Sequence, residues 1–437
     1  MPSANTFKYQ TVWTKEYQKS NWAMPVYPVI ADMQFKSDLS IGDTVKRRYR
    51  TNPIFAKTLG SDGSYSPQQY VEGEESFTIS KQKEASVRIP KPQVLHTDLP
   101  VTKSYGAQLA NAIWQDIEGD TLYAAYAGAG TSLDDGSFGG TAGNGLTVSI
   151  SNIADIPVIA METFIGKNVV YNNSLRFGKL PYEEYGGMLT WIIPPQVWTQ
   201  IQKYMIARVT SKGDEVVVNG YRGQFGDFNV FVANTLPFTT RLALSVNPTD
   251  GDTMTIKGVT FRFKTNTAQN GDIDIGAAAA DTADNVVTAL NALTTDSSGV
   301  YDAWVDGTDY LTENGFVINK SDALHGIVAT DGTTYVDIAI KGAGKVSVSS
   351  SFTSGSNGFT AAKQCVQSLF VVAKNVCLAI RKEPEIYENP VSGKISRDYV
   401  LWTVYDNKVF QDQARAIIAL AVRADATSFT AYSNVHA

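Results

Sequence analysis

Histidine is nearly missing from this chain of 437 residues: there are three, His96, His325 and His436, far apart in the sequence. None stands in an HExxH spacing or a triad pattern, so chemistry built on imidazole has no visible framework. Cysteine is scarcer still, with only Cys365 and Cys377. Two distant cysteines cannot make a zinc knuckle. Their segment reads as helical, where a rise of about 1.5 Å per residue would hold them about 18 Å apart, so no disulfide within the chain is expected. Apolar runs stop short of the roughly 18–20 residues that a membrane span needs. The opening "MPSANTFKYQ" lacks the basic flank and apolar core of a signal peptide, so folding in a cytoplasm, with no membrane contact, is the expectation.

Charge is also sparse. Charged residues make up 18% of the chain against 43% hydrophobic, with 21 Tyr, 19 Phe and 7 Trp. Aromatic enrichment with charge depletion suits large buried contacts between subunits. Single cores stop growing near about 250–300 residues, so several structural parts are expected. The charges that exist are unevenly placed. Between Thr240 and Gly358 there are 14 acidic and 7 basic residues, a net of −7, whereas the rest holds 29 and 30, a net of +1. A strongly acidic stretch lies inside a neutral chassis.

What is present is a sequence of recognisable pieces. Residues 1–52 carry aromatics and prolines ("NWAMPVYPVI") and end near the basic cluster Lys46, Arg47, Arg48 and Arg50. That cluster could touch nucleic acid, but a solvated or salt-bridging face fits better, because no aromatic-lined groove accompanies it. Within 53–103, Phe77, Ile79, Val87 and Ile89 alternate around the polar tip "SKQKEAS" and predict a long two-stranded extension. An isolated hairpin is marginal in water, so this one needs a surface to lie on. "KSYGAQLANAIWQDIEGDTLYAAYAGAG" predicts a long helix with Leu109, Ile113, Ile117 and Leu122 on one face. "SNIADIPVIAMETFI" predicts a second, capped by Asn152 and holding Pro157 in its early turns. A buried strand, "LTWII", runs through Pro194 and Pro195 into a helix, and a glycine-led strand, "NVFVANTLP", stops at Pro237.

The acidic stretch then opens. "GDTMTIKGVTFRF" alternates at period two across a Lys257-Gly258 turn and predicts a tight hairpin. A strand "GDIDIG", a helix "DTADNVVTALNAL" capped by Asp281 or Thr282, and strands at "GFVINK", "TYVDIAIKG" and "KVSVSS" follow, enough for a small β-rich fold. Tyr301, Trp304 and Tyr310 read as its own small core. Past it, "AAKQCVQSLFVVAKNVCLAI" predicts an apolar helix, and two closing strands end the pattern.

Chemistry is hard to find. Asp272, Asp274, Asp281 and Asp284 stand close in sequence, but the EF-hand glycine and terminal glutamate are absent, and solvated turn and helix-start aspartates account for them better. "GYRGQFG" precedes a strand instead of opening a helix, the reverse of a dinucleotide site. Glu183 and Glu184 read as a surface-turn pair. Lys81, Lys83 and Lys91 could in principle form isopeptide crosslinks between chains, yet lysines on a polar tip are ordinary. The expectation is a protein that is not an enzyme, with no catalytic, cofactor or metal site.

The order of the parts carries a resemblance. "SYGAQLANAIWQDIEGDTLYAAYAG" resembles a spine helix, "MLTWIIPPQVWTQIQKY" an axial-domain strand entering its helix, "GYRGQFGDFNVFVANTLP" the strand and turn that follow, and "DYVLWTVYDNKVFQDQARAIIALAV" closing peripheral strands. Together they resemble the major capsid proteins of tailed bacteriophages with the HK97-type fold, over about 315 residues outside the acidic stretch.

The resemblance implies an α+β fold with an N-terminal arm (1–52), an E-loop extension (53–103), a peripheral domain with its spine helix (104–150) and an axial domain (151–237). It further implies an insertion domain (238–360), the axial domain continued (361–385) and closing peripheral strands (386–437). It implies assembly into hexamers and pentamers of an icosahedral shell around double-stranded DNA, with a portal and possible cement or decoration proteins as partners. No long charged helical segment precedes the arm, so a separate scaffolding protein is expected. An insert of net charge −7 would be repelled by packaged DNA, whereas outside it would be screened within about 8–10 Å, so it is expected to face outward. An encapsulin-like nanocompartment shell and a carbohydrate-binding surface protein stand as alternatives.

Overall fold

A computed structural model describes residues 25–33, 44–50, 56–69, 71–90, 101–167, 169, 189–207, 223–265, 272–292, 310–313, 316–319, 324, 326–353, 355–390 and 396–424. The architecture is mixed α and β with strands in the majority. In chain order, a short helix Tyr27–Ile30 leads into β1 (Ala31–Asp32), followed by β2 (Thr44–Arg50), β3 (Glu72–Thr78) and β4 (Lys81–Pro90). The long helix Val101–Ala127 comes next, as its 3.6-residue apolar spacing predicts; Leu109, Ile113, Ile117 and Leu122 are all buried.

The long helix lies on a four-stranded sheet ordered β1, β20 (Val376–Pro390), β21 (Ser396–Lys408), β4. Leu109, Ile113 and Ile117 pack there against Leu378, Leu401 and Tyr405. Tyr27 stacks on Trp114 at 6.0 Å, tying the start of the described chain to the same layer.

A second, ten-stranded sheet is organised around β19 (Cys365–Val372). One edge of β19 takes the whole of β22 (Ile417–Arg423), which pairs in turn with β5 (Thr131–Leu133). The other edge forks: Cys365 and Val366 pair with β9 (Phe238–Ala243), while Leu369 to Val372 pair with β6 (Leu189–Ile193). Beyond β6 lie β8 (Phe228–Val232) and the short β7 (Gln224–Phe225). Beyond β9 lie β16 (Tyr335–Ile340) and β15 (Ile327–Asp331), with β18 (Gly358–Phe359) also on β9. The helices Asp155–Gly166 and Pro195–Ile206 contribute Phe164, Val197 and Ile201 to the same core.

The acidic stretch carries a further sheet ordered β12 (Asp272–Asp274), β11 (Val259–Lys264), β10 (Thr253–Ile256), β17 (Val348–Ser351), and the helix Ala279–Ala292. β13 (Tyr310–Glu313) and β14 (Phe316–Asn319) form a separate two-stranded pair. The hairpin forms as its alternation predicts, and Lys257 and Gly258 both take positive φ, 51° and 79°, as a two-residue turn that follows strand twist requires. The stretch is built into the larger sheet. β9, β15 and β16 extend the sheet of β6 and β19, and Phe261, Met254 and Leu290 belong to one core with Trp191 and Phe370.

Several expectations are corrected. After one 3-10 turn at Ala361–Lys363, the apolar run 361–380 is two strands, not an α-helix, and every residue of β19 is buried. A strand covered on both faces loses its period-two signature, and the remaining unbroken apolar run cannot be told from a buried helix by periodicity. Cys365 and Cys377 therefore lie on separate strands, so the 18 Å helical separation does not apply; both are buried and they are not joined in a disulfide. The predicted hairpin of 77–89 is re-paired: β3 joins β2 and β4 joins β21. β8 ends at Val232, short of Pro237. Asn152 does not cap its helix; its Oδ1 accepts from the Ser149 N–H and its Nδ2 donates to the Thr147 carbonyl, bracing the preceding turn. The acidic-stretch helix starts at Ala279, so Asp281 and Thr282 lie inside it and accept instead from the N–H groups of Ala278 and Gly276.

Candidate assembly surfaces

β2 and β3 form a two-stranded ribbon on their own, and the described part of the connection between them is 56–69. β3 has no buried residue, and Leu59, Tyr65 and Val71 between the two strands are exposed, Tyr65 to 81%. Such a ribbon has no core and gains order only from what it lies against. Its basic residues meet acids of the same chain: Lys46 pairs with Glu74 at 2.7 Å and Arg48 with Glu72 at 4.0 Å. Arg47 donates both guanidinium arms to Asp412, at 2.7 and 3.1 Å, and lies over the Phe410 ring. These three of the four sequence-predicted cations are thereby answered within the chain; the Arg50 side chain lies outside the described residues.

The root of the extension is fastened more firmly. Phe77 meets Phe410 edge-on at 5.9 Å, Lys408 pairs with Glu75 at 3.0 Å, and the Ser80 N–H and hydroxyl both donate to Asp406. Just beyond, Lys81 and Lys83 point back to the long helix. Asp116 and Asp120, one turn apart on it, both accept from the Tyr405 hydroxyl at 2.9 Å. Lys83 lies 3.3 Å from Asp116, and Lys81 lies 3.3 Å from Asp120, 3.5 Å from Asp406 and 2.9 Å from the Asn407 side-chain oxygen. Lys341, from the turn after β16, reaches the other oxygen of Asp120 at 2.9 Å. Burial pushes Asp120 up, but the Lys81 and Lys341 ammoniums outweigh it and hold the carboxyl below the usual aspartate range. Burial and then the Asp120 and Asp116 charges drive Tyr405 far upward, so it stays a hydroxyl donor.

This cluster had one sequence signal: Asp116 and Asp120 at an i, i+4 spacing inside an otherwise apolar helix face, with Gly119 between them. A Cβ on Gly119 would meet the Gly342 Cα at 2.9 Å, so the missing side chain lets the turn bring Lys341 in.

The other candidates do not converge. Asp272 is held by Arg262 at 3.0 Å, Asp281 braces a turn, and Asp274 lies at the end of β12. No group of three His, Cys, Asp or Glu among the described residues could hold a metal ion. His96, His325, His436, Glu183, Glu184, Lys91, Tyr301 and Trp304 lie outside the described residues, and of Tyr310 only the strand is described. Burial pushes the Cys377 thiol up to about 12. Among the described residues no helix is long and apolar enough to cross a membrane.

No known protein family matches this chain, and no curated protein does. Solved structures match along nearly its whole length. A structure from Mycobacterium phage Che8 superposes with a TM-score of 0.52 at 9% identity, covering 95% of this chain and 98% of that one. The capsid structure of the cyanophage P-SCSP1u gives a TM-score of 0.50 at 10% identity, covering 95% and 93%. These likenesses establish the fold: an α+β phage-capsid fold of the HK97 type.

Proposed function

We propose that this chain is the major capsid protein of a tailed bacteriophage, a structural subunit that assembles with copies of itself into an icosahedral head. One observation carries the reading: the match to a phage capsid structure spans 95% of the chain at a TM-score of 0.50. The β2–β3 ribbon supports it independently, because an arm with no core of its own is stable chiefly when it lies on a neighbour. No convergent catalytic group among the described residues argues for a reaction.

The finer reading follows from the same parts. The sequence segments 1–52 and 53–103 serve as arm and extension, 238–360 as an insertion on the outer surface, and copies meet as hexamers and pentamers. A scaffolding protein, a portal, a possible cement protein and non-specifically contacted DNA complete the proposed partners, with assembly in the host cytoplasm and residence in the virion. The net charge of −7 on the acidic stretch supports the outward placement.

Negative-stain electron microscopy of the protein expressed alone and with its neighbouring gene products tests the proposal. Closed shells or capsomer rings are expected, with outward knobs altered on trimming the acidic stretch. A dispersed monomer under every condition would overturn it. Neither the nanocompartment nor the carbohydrate-binding reading finds support in the comparisons.

A further inference from the structure

The acidic segment and the root of the extension meet on a single buried carboxylate, and we propose that Lys341 acts there as a standby counter-ion that eases release of β4 from the long helix. Three acids form the cluster, Asp116 and Asp120 on the helix and Asp406 on β21, facing Lys81 and Lys83 from β4 and Lys341 from the acidic segment. Lys81 and Lys341 take opposite oxygens of Asp120, so neither displaces the other while β4 is docked. Tyr405 and the ring of Tyr123, with Lys341 5.1 Å from its centroid, complete the surroundings.

The consequence appears when β4 leaves. Both of its lysines go with it, and the helix and β21 keep three acids. With Lys341 in place the remaining charge is −2; without it, −3, around an aspartate that is 5% exposed. Uncompensated buried charge is costly, so the open state is far less accessible without Lys341. A residue of the acidic segment thus loosens the extension root, although its own contact with Asp120 is attractive. Linkage makes the effect reciprocal: Lys81 weakens the hold of Asp120 on the turn 341–344.

Hydrogen exchange of the full-length subunit reads this directly, whether or not shells form. Lys341→Met is expected to slow amide exchange across 81–88 by about five-fold or more. Lys341→Arg, which keeps the charge, should leave that exchange as in the parent, and Lys264→Met, which breaks a pair with Asp250 elsewhere in the segment, should not alter it. Unchanged or faster exchange across 81–88 in Lys341→Met would overturn the proposal, as would an equal slowing in Lys341→Arg. If Lys341→Met does not fold, Lys81→Met supplies the reciprocal reading: exchange across 338–344 should slow, and unchanged or faster exchange there sinks the idea.

Discussion

β19 and β3 are both strands of seven or eight residues, yet one is buried at every position and the other at none. β19 has partners on both edges and every side chain buried; β3 has β2 on one edge and a root contact at Phe77. Secondary structure alone therefore says little about what holds a segment in place. The fully covered strand draws its stability from apolar area removed from water, while the ribbon depends on paired charges that solvent screens.

The widest gap between the two regions should show in Trp191→Ala. Trp191 stacks on Phe370 at 4.9 Å and donates its indole N–H to Ser368, fully buried. Truncation there is expected to cost about 3–5 kcal/mol in urea unfolding of the dispersed subunit. Tyr65→Ala on the ribbon should stay within about 0.5 kcal/mol. Equal losses at the two positions would erase the distinction.

Asp120 lies between these extremes, a charge inside the body that holds the root of the reach. Asp120→Asn leaves Lys81 and Lys341 facing a neutral amide, and a loss of about 3–5 kcal/mol at neutral pH is expected. Because its folded pKa is depressed, the stability it contributes is present above the ordinary aspartate value of about 3.9 and is lost as pH falls through the lower folded value. The gap between parent and variant should therefore close on acidification. A gap that widens would mean the carboxylate is not what the lysines stabilise.

Glu118, two residues earlier on the helix, should do the opposite. Burial raises its pKa, only partly offset by the Val26 N–H that donates to it at 3.1 Å. An acid raised in the folded state contributes most below its unfolded pKa of about 4.3, and that contribution is lost as pH rises through the elevated folded value. Glu118→Gln keeps an acceptor for Val26 and removes the charge. A modest gain near pH 7, a rise in Tm of about 2–4 °C, is expected, shrinking toward pH 4. A loss at pH 7 would show that the ionised form is the one the fold needs.

The ribbon and the buried strand also differed in how far the sequence disclosed them. The long helix was legible because Leu109, Ile113, Ile117 and Leu122 recur at helical spacing and all four are buried. The hairpin around Lys257-Gly258 was legible because its turn dictates the pairing. β19 was hidden by being covered on both faces, and the pairing of β4 by the long sequence distance to its true partner. Alternation marks Phe77 and Val87 as strand residues but does not say that β4 belongs to β21, some three hundred residues on. The Asp120 cluster was hidden for the same reason: its lysines come from both sides of the helix in sequence, and only Asp116 and Asp120 are local.

The smallest effect on the subunit is expected where the effect on assembly is largest. Replacing the exposed tip 56–69 by a short flexible turn removes Leu59 and Tyr65 but no buried residue, so the urea midpoint of the dispersed subunit should hardly move. Loop closure adds little, because the cost of joining β2 to β3 changes only slowly with loop length. Electron microscopy of the same variant should show shells that fail to close or fall apart on dilution, since Leu59 and Tyr65 are exposed and join no core cluster among the described residues. A variant that folds and closes shells as the parent does would move the adhesive surface away from the ribbon and onto the body. A variant that unfolds would show that the ribbon, despite its exposure, belongs to the body after all.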